Sequence, residues 1–332
     1  MKYVVTGGAG FIGSAFIDEV LKQDKDSNVI CIDDFSSGFA KNIPTSFNVN
    51  IINVDISTLT SDNEITNNVK KEVEGADCMF HFAAKARVQP SIENPIEFND
   101  TNVGGTLNLL EICRQVGIKR FVFSSSSSVY GDTTTFPTPE TAPTGPLSPY
   151  GLQKLIGEEY CQLYSKIHDI ETICLRYFNV YGENAPTEGA YCLVIGAFMC
   201  CKSVGRPLTI YGTGEQRRDF TYVKDVVRAN LLAAQSDKVG SGEVINVGNG
   251  DSRSVQQIAN IFGEPFEYLP ARLEPFETLA NIDKAKDLLG WCPTGDVEEW
   301  LTNCLDSFNW IERLPSKQRV VGSSPARGTR IL

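Results

Sequence analysis

The sequence predicts an α/β fold, with a doubly wound parallel sheet and a smaller α/β unit beside it. Three observations predict it. Apolar, β-branched runs alternate with segments of helical periodicity through the first half of the 332-residue chain, the pattern of a parallel sheet covered on both faces. A glycine-rich turn, Thr6-Gly7-Gly8-Ala9-Gly10-Phe11-Ile12-Gly13, joins the first of these strands to the first helix. An aspartate, Asp33, closes the second strand, twenty residues past Gly13.

Lys2 to Thr6 is the first strand. From Phe11 to Lys22 the apolar positions Phe11, Ile12, Ala15, Phe16 and Leu21 fall at helical spacing. Between them, Gly7, Gly10 and Gly13 suit a tight turn, a close backbone approach to a pyrophosphate and tight helix–strand packing. Phosphates held there face the helix N-terminus, where free N–H groups and the dipole favour anions. The second strand, Asn28 to Ile32, runs into Asp33. A carboxylate at that place binds the ribose 2′-hydroxyl of NAD and repels the 2′-phosphate of NADP. Val49 to Val54 is the third strand, and Asp55-Ile56 at its end suits the adenine edge. The fourth, Asp77 to Phe82, leads into Ala83-Ala84, small residues that let backbone approach a cofactor. His81 within it reads as a hydrogen-bonded structural histidine, and His168 as a solvated one. Asn99 to Gly117 reads as a helix and Arg120 to Phe123 as the fifth strand.

Ser124 to Ser128 reads as a polar loop at the rim of a site, since it follows a strand's carboxyl end, where ligands collect in open α/β sheets. Asp132 to Leu147, rich in Pro and Thr, reads as a loop over that site. Next comes Ser148-Pro149-Tyr150-Gly151-Leu152-Gln153-Lys154. Ser148 suits an N-cap and Pro149 the first helical position. Tyr150 and Lys154, at i and i+4, then share one helix face. A phenol titrates near ~10, and lowering it by about 3 units takes roughly 4 kcal/mol of differential stabilisation. The helix N-terminus and a buried ammonium beside a cationic cofactor ring are the expected sources. A serine hydroxyl nearby can share the proton.

Ile170 to Leu175 is the next strand, leading to Arg176-Tyr177-Phe178-Asn179-Val180-Tyr181-Gly182. Glu183 to Tyr191 reads as loop, Leu193 to Val204 as helix and Leu208 to Tyr211 as strand. Arg217-Arg218-Asp219-Phe220-Thr221-Tyr222 sets two cations beside aromatics. Val223 to Ala234, Ser254 to Phe262, Asp283 to Leu289 and Val297 to Ile311 read as helices, and Glu243 to Val247 as a strand. The segment 316–332 lacks periodicity and reads as a disordered tail.

A formal charge of -11 argues against nucleic acid or an anionic membrane as partner. The ten cysteines are scattered, without a Cys-x-x-Cys pair or a His cluster. Reduced thiols, a cytoplasmic location and no metal site are therefore expected. The chain is expected to open directly on the first strand without a signal peptide, and no apolar run approaches the ~18 residues of a membrane span.

Taken together, these motifs resemble the extended short-chain dehydrogenase/reductase family, within it the nucleotide-sugar 4-epimerases of the UDP-glucose (UDP-galactose) type. The resemblance runs from Lys2 to about Trp310. It is carried by the glycine turn, Asp33, Asp55-Ile56, Ser124 to Gly131, Tyr150 to Lys154, Arg176 to Gly182, Arg217 to Asp225, Glu277 to Asn281 and Lys284 to Trp291. It implies a Rossmann domain holding NAD, and inversion at C4 of a UDP-hexose through a transient 4-keto sugar. In this likeness Tyr150 is the catalytic base, Lys154 holds the nicotinamide ribose, and Ser126 is the catalytic hydroxyl. Gly7, Gly10, Phe11, Ile12 and Gly13 contact the cofactor, together with Asp33, Asp55, Ile56, Phe82, Ala83, Ala84 and Tyr177. Ser126, Ser127, Ser128 and Tyr150 face the hexose, whereas Asn179, Arg218, Arg272 and Glu274 hold the nucleotide. Thr278 is the small residue at the wall thought to gate hexose size, which admits an N-acetyl group or a C6 carboxylate. In relatives that eliminate water, Asp-Glu stands where Ser127-Ser128 stand here, so elimination is disfavoured. Two departures stand out: Ala271 occupies the usual place of a diphosphate arginine, with Arg272 next to it, and Asn281 replaces the usual Asp.

The resemblance divides the chain into an NAD-binding domain, 1–175 plus 217–247, and a nucleotide-sugar domain, 176–216 plus 248–315. It also implies a homodimer through the 99–117 and 150–167 helices. Two alternatives stay open. One is a different NAD-dependent nucleotide-sugar enzyme: a UDP-glucuronate or UDP-N-acetylhexosamine 4-epimerase, a decarboxylase, a 4,6-dehydratase or a reductase. The other is a non-catalytic NAD-binding regulator, although such proteins commonly lose the Tyr or the Lys.

Overall fold

The computed structural model describes residues 1–60, 63–186, 193–272 and 274–313, with backbone alone from 307 onward. The expected tail over 316–332, and 187–191 of the expected loop, lie outside the described residues.

In chain order, β1 (Lys2–Thr6), α1 (Phe11–Gln23), β2 (Asn28–Asp33), β3 (Val49–Asn53), α2 (Glu64–Val73) and β4 (Cys78–His81) come first. Then follow α3 (Val88–Glu93), α4 (Pro95–Asn99), a π-helical turn (Asp100–Gly105) and α5 (Thr106–Val116). Next are β5 (Arg120–Ser126), α6 (Pro149–Ile167), β6 (Glu171–Tyr177), β7 (Val180–Tyr181), α7 (Val194–Ser203) and β8 (Leu208–Tyr211). The remainder is β9 (Arg217–Asp219), β10 (Thr221–Tyr222), α8 (Val223–Gln235), β11 (Ser241–Val247), β12 (Ser252–Ser254), α9 (Val255–Phe262), β13 (Phe266–Leu269), α10 (Asp283–Leu289) and α11 (Val297–Arg313).

Seven strands form one parallel sheet in the order β11-β6-β5-β4-β1-β2-β3. The chain leaves β3 at one edge and re-enters beside β1 as β4, so the strand order reverses there. A crevice opens at the carboxyl ends of the strands at such a switch point. Both faces are covered because the inner strands, β1, β2 and β4 among them, are buried along almost their whole length, whereas edge β3 is largely exposed. Phe16, Ile17 and Val20 of α1 and Val226 and Val227 of α8 bury one face. Leu109, Leu110 and Cys113 of α5 and Cys161 and Tyr164 of α6 bury the other. A third core, including Phe198, Ile210, Ile258, Phe262 and Leu301, lies among the later elements. Ala285, Leu289 and Trp291, grouped by sequence with the smaller unit, pack instead into the sheet's own core. The Trp291 indole N–H donates to the Asp225 carbonyl at 2.9 Å.

Two expectations need correction. The helix expected over 99–117 begins four residues earlier, at Pro95, and widens into a π turn before α5. That turn ends on Gly105, where a Cβ would stand 2.6 Å from the Ile56 side chain, so glycine lets it press against the end of β3. The serine run is not a loop throughout, because β5 continues to Ser126. Ser124 and Ser125 pair with Leu175 and Arg176, and their hydroxyls find the Tyr177 hydroxyl at 3.1 Å and the Glu158 carboxylate. Among the described residues no helix is long and apolar enough to cross a membrane.

Candidate active site

A cleft of about 660 Å³ runs along the carboxyl ends of the sheet strands. All the residues singled out above as catalytic, cofactor-binding or substrate-binding line it.

At one end the glycine turn is shaped by lack of room. Gly7 has φ +70, and a Cβ on it would lie 2.6 Å from the Ala83 backbone nitrogen. A Cβ on Gly13 would lie 2.2 Å from the Gly7 carbonyl oxygen. Gly10 caps α1 in extended conformation without a side chain to occupy the first-turn N–H groups, which therefore face the cleft as anion donors. Asp33 ends β2 with Oδ2 accepting the Ala9 N–H and Oδ1 the Phe35 N–H, both at 2.8 Å. Burial pushes its carboxyl up, while those two donors hold it down. Each oxygen keeps a second lone pair for a hydroxyl donor. Asp55 accepts the Ser57 N–H at 2.8 Å, leaving one oxygen on the cleft. This end fits a dinucleotide: a side-chain-free cradle, uncapped helix donors, and a carboxylate one strand away.

In the middle of the cleft stand Tyr150, Lys154 and Ser126. Ser148 caps α6, its Oγ accepting the Gly151 N–H at 3.2 Å, and Pro149 takes the first helical position, as the sequence predicts. The Tyr150 N–H donates to Ser91 Oγ of α3 at 3.1 Å, pinning the helix start. Ser126 Oγ accepts both the N–H of Ser128 at 3.2 Å and its hydroxyl at 2.9 Å. Its own hydrogen is thereby left to donate toward the cleft. Lys154 is buried, and its Nζ donates to the Ser124 carbonyl at 2.8 Å. That Nζ lies 5.0 Å from the Phe123 ring centroid and 6.0 Å from that of Tyr150.

At Tyr150, burial and its polar neighbours act in opposite directions. Burial pushes the phenol up, and the groups pulling it back are the Ser126 hydrogen bond and the charge of Arg87. Burial lowers Lys154 to about 8, so the ammonium is partly discharged over the range in which a phenol ionises. His81 is structural as expected. Nδ1 meets Thr6 Oγ1 at 2.8 Å and Nε2 meets Thr106 Oγ1 at 2.9 Å. Thr106 donates its hydrogen to the Asn102 carbonyl and so accepts from Nε2–H. Burial, with the Lys154 charge, holds this imidazole neutral.

At the far end Arg218 is buried, with Nη1 donating to the carbonyls of Arg217 at 2.7 Å and Phe276 at 3.2 Å. Its Nη2 pairs with Glu274 at 2.8 Å. The Arg272 guanidinium stacks on the Tyr211 ring, 3.4 Å from its centroid. Asn179 donates through Nδ2 to the Asp219 carbonyl at 2.9 Å and to Thr278 Oγ1 at 3.0 Å, which also accepts the Asp219 N–H at 3.2 Å. Tyr177 is buried, its hydroxyl donating to Asn230 Oδ1 at 3.0 Å.

Three features escaped sequence reading. Arg87 lines the cleft from a left-handed backbone, φ +100. Asn102, in the π turn, clasps Lys85 by both its N–H and its carbonyl at 2.8 Å and reaches Gln153 on α6 at 2.9 Å. Beneath β5, Glu158 and Arg176 form a buried bidentate pair at 2.8 and 2.7 Å. The π turn was foreshadowed by Gly104-Gly105, whereas nothing local marks the partners of Arg87 or Glu158. Among the described residues no group of three or more His, Cys, Asp or Glu side chains is placed to hold a metal ion.

Residues 3–248 match the NAD dependent epimerase/dehydratase family. A protein of Methanocaldococcus jannaschii, provisionally named UDP-glucose 4-epimerase, is 38% identical over 317 residues, covering 93% of this chain and 98% of that one. The UDP-N-acetylglucosamine 4-epimerase of Methanobrevibacter ruminantium, solved with UDP-N-acetylmuramic acid, superposes with a TM-score of 0.83 at 34% identity, over 93% of this chain and 98% of that chain. A mutant UDP-glucuronic acid 4-epimerase of Bacillus cereus, solved with UDP-4-deoxy-4-fluoro-glucuronic acid and NAD, gives 0.83 at 31% identity, over 94% and 100%. With its seven-stranded parallel sheet, its dinucleotide cradle and these likenesses, the chain belongs to the NAD-dependent epimerase/dehydratase family of extended short-chain dehydrogenase/reductases and is an enzyme of its nucleotide-sugar epimerase branch.

Proposed function

We propose that this enzyme inverts C4 of a UDP-hexose through a 4-keto sugar. One observation carries the reading. Tyr150, Ser126 and Lys154 converge on one wall of the cleft, where positions 127 and 128 are serines. Among the described residues the carboxylates of this cleft lie elsewhere: Asp33, Asp34 and Asp55 toward the dinucleotide end, and Glu274 on Arg218. A base is therefore present beside the sugar without the carboxylic acid that elimination needs.

NAD bound along the glycine turn supplies a reversible hydride acceptor for the sugar's C4. Gly7, Gly13 and Asp33 hold its phosphates and ribose, and Lys154 its nicotinamide ribose. Tyr150 takes the proton of the 4-hydroxyl and returns it to the ketone oxygen after the sugar has turned over. Ser126, its lone pairs occupied by Ser128, donates to the same sugar oxygen and steadies the charge passing across it. Arg218, Arg272 and Asn179 anchor the nucleotide. Binding energy spent there leaves the hexose loose enough to rotate. The small Thr278 at the wall supports a pocket that takes N-acetylated or uronic hexoses beside glucose. A homodimer is part of the same reading, with Leu152, Leu163 and Ile167 of α6 exposed for it.

The test is incubation of the purified enzyme with UDP-glucose, UDP-N-acetylglucosamine and UDP-glucuronate, with products resolved by chromatography. The expected products are the C4 epimers, without CO2 or free NADH. A 4-keto-6-deoxy product or CO2 release refutes epimerisation. A negligible rate with the acetylated sugar alone refutes the open wall.

A further inference from the structure

We infer that Asp219 is a positioning residue for the sugar nucleotide: from behind the cleft it fixes Thr278 and Asn179, two residues of the cleft wall, against each other. This deepens the proposed function and rests on those two residues facing the bound ligand. Asp219 acts on the substrate through them.

Asn179 lies between β6 and β7, Thr278 lies between β13 and α10, and both line the cleft. Residue 219, the last of β9, joins them. Its N–H donates to Thr278 Oγ1 at 3.2 Å, and its carbonyl accepts Asn179 Nδ2 at 2.9 Å. Asn179 Nδ2 also donates to Thr278 Oγ1 at 3.0 Å, which closes a triangle of bonds. Both lone pairs of the threonine oxygen are spent there, so the orientation of that hydroxyl is set. Asn179 holds φ +27, outside the region L residues ordinarily adopt, and such backbone persists only where neighbours over-determine it. Here the Asp219 carbonyl holds its amide, and the Thr221 N–H donates to its carbonyl at 3.3 Å.

The carboxylate is what holds residue 219 still. It is fully buried and accepts three backbone N–H groups from two separate segments. Oδ1 takes that of Asn249 at 2.6 Å, and Oδ2 takes those of Gly250 and Ala280 at 3.0 Å each. Ala280 stands two residues past Thr278, while the Thr278 N–H itself donates to the Arg217 carbonyl at 3.1 Å. The wall is therefore gripped on both sides of the threonine hydroxyl. There is little room to shift: a Cβ on Gly248 would lie 2.8 Å from Asp219 Oδ2 and 2.4 Å from Ala280 Cβ. An apolar side chain at 219 would leave three buried N–H groups without an acceptor. An amide has a single oxygen, so in Asp219→Asn an NH2 group faces at least one N–H donor.

The test uses the NAD-loaded enzyme at about pH 8.5, above the value of about 7 to which burial pushes the Asp219 carboxyl. Asp219→Asn, Thr278→Val and the double variant are compared with the parent in KM for UDP-glucose. Each single variant is expected to raise KM about tenfold, the weight of one hydrogen bond to a charged or buried group, and KM rises further than kcat falls. The double variant is expected to stay near tenfold, because Thr278→Val already removes the atom through which Asp219 acts. In a Thr278→Ser background, which keeps the hydroxyl, Asp219→Asn again costs about tenfold. An unchanged KM in Asp219→Asn overturns the inference even where its Tm falls, since a merely structural carboxylate lowers stability and leaves the folded site intact. So does a double variant whose KM rises about a hundredfold, which makes the two residues independent. Asp219→Ser takes the place of Asp219→Asn should the latter not fold. Calorimetric binding of UDP-glucose in a Tyr150→Phe background repeats the cycle without turnover. A coupled loss of affinity there, beside a parent that yields no C4 epimer, sinks the proposed function and leaves this inference standing.

Discussion

Replacing Glu158 by Gln tests the polar layer under the site. Glu158 and Arg176 are 1% and 5% exposed, and the carboxylate meets the guanidinium with two bonds. The guanidinium also lies 4.6 Å from the Tyr130 ring centroid, but its Nη1 has no hydrogen-bond partner among the described residues, so the carboxylate is its main compensation. Removing one member of a buried pair leaves the other charge stranded, at about 3–5 kcal/mol. Over 332 residues, unfolding entropy of about 2.1 cal/mol/K per residue gives about 0.7 kcal/mol/K, so about 4 kcal/mol lowers Tm by about 6 °C. Arg176→Met strands the carboxylate instead and falls by a similar amount. The double variant Glu158→Leu/Arg176→Met has no buried charge and is expected to melt above either single one. Scanning calorimetry at fixed NAD reads all three. A double variant whose loss equals the two single losses added, or a Gln variant within 1 °C of the parent, refutes the argument that the charge itself is held by its partner. Ser125 bonds the same carboxylate and neighbours Ser126, so kcat of Glu158→Gln falls further than KM rises.

Tyr150→Phe is expected to lower kcat by about 10²–10⁴ at unchanged NAD content, and a residual rate near the parent's rejects Tyr150 as base. Gly13→Ala places a Cβ 2.2 Å from the Gly7 carbonyl oxygen. It is expected to cost about 1–3 kcal/mol and to lower the NAD released on denaturation, read by absorbance. His81 gives a pH signature. It is held neutral in the fold and titrates near 6.5 once unfolded. The unfolded chain therefore binds the extra proton, and stability present above 6.5 is lost as pH falls, by about 2 kcal/mol at about pH 5. Denaturant midpoints against pH are flatter in His81→Asn, and parallel curves refute this assignment.

Much of the sheet and of the dinucleotide end was legible because both are written locally. Strand, glycine turn and helix follow one another within Lys2–Gln23, and Asp33 closes the next strand. The Ser148 cap and the Tyr150–Lys154 spacing were likewise readable, since a helix fixes them. The serine run misled because its strand partners come from β6 and its hydroxyl partners from α6 and β6, more than thirty residues on. The strongly polar α2 hides its buried Thr66, Val69 and Val73 behind Asn and Lys. β12 and β13 are too short to give a period, and each pairs with a strand from a distant stretch. Arg87 was invisible because nothing in its local sequence marks its positive φ, and Asn102, seventeen residues on from Lys85, holds the Lys85 backbone just before it.

The return of α10 to the sheet also governs how the protein can be recombined. Trp291 fills the sheet core, and the Asp225 carboxylate takes the N–H groups of Thr294 and Gly295, both at 2.8 Å. A chimaera cut once after Val247 would lose this plug along with the elements proposed to hold the nucleotide sugar. Grafting a foreign specificity therefore calls for two junctions, one on each side of the transplanted stretch, with the stitch through Trp291 kept native.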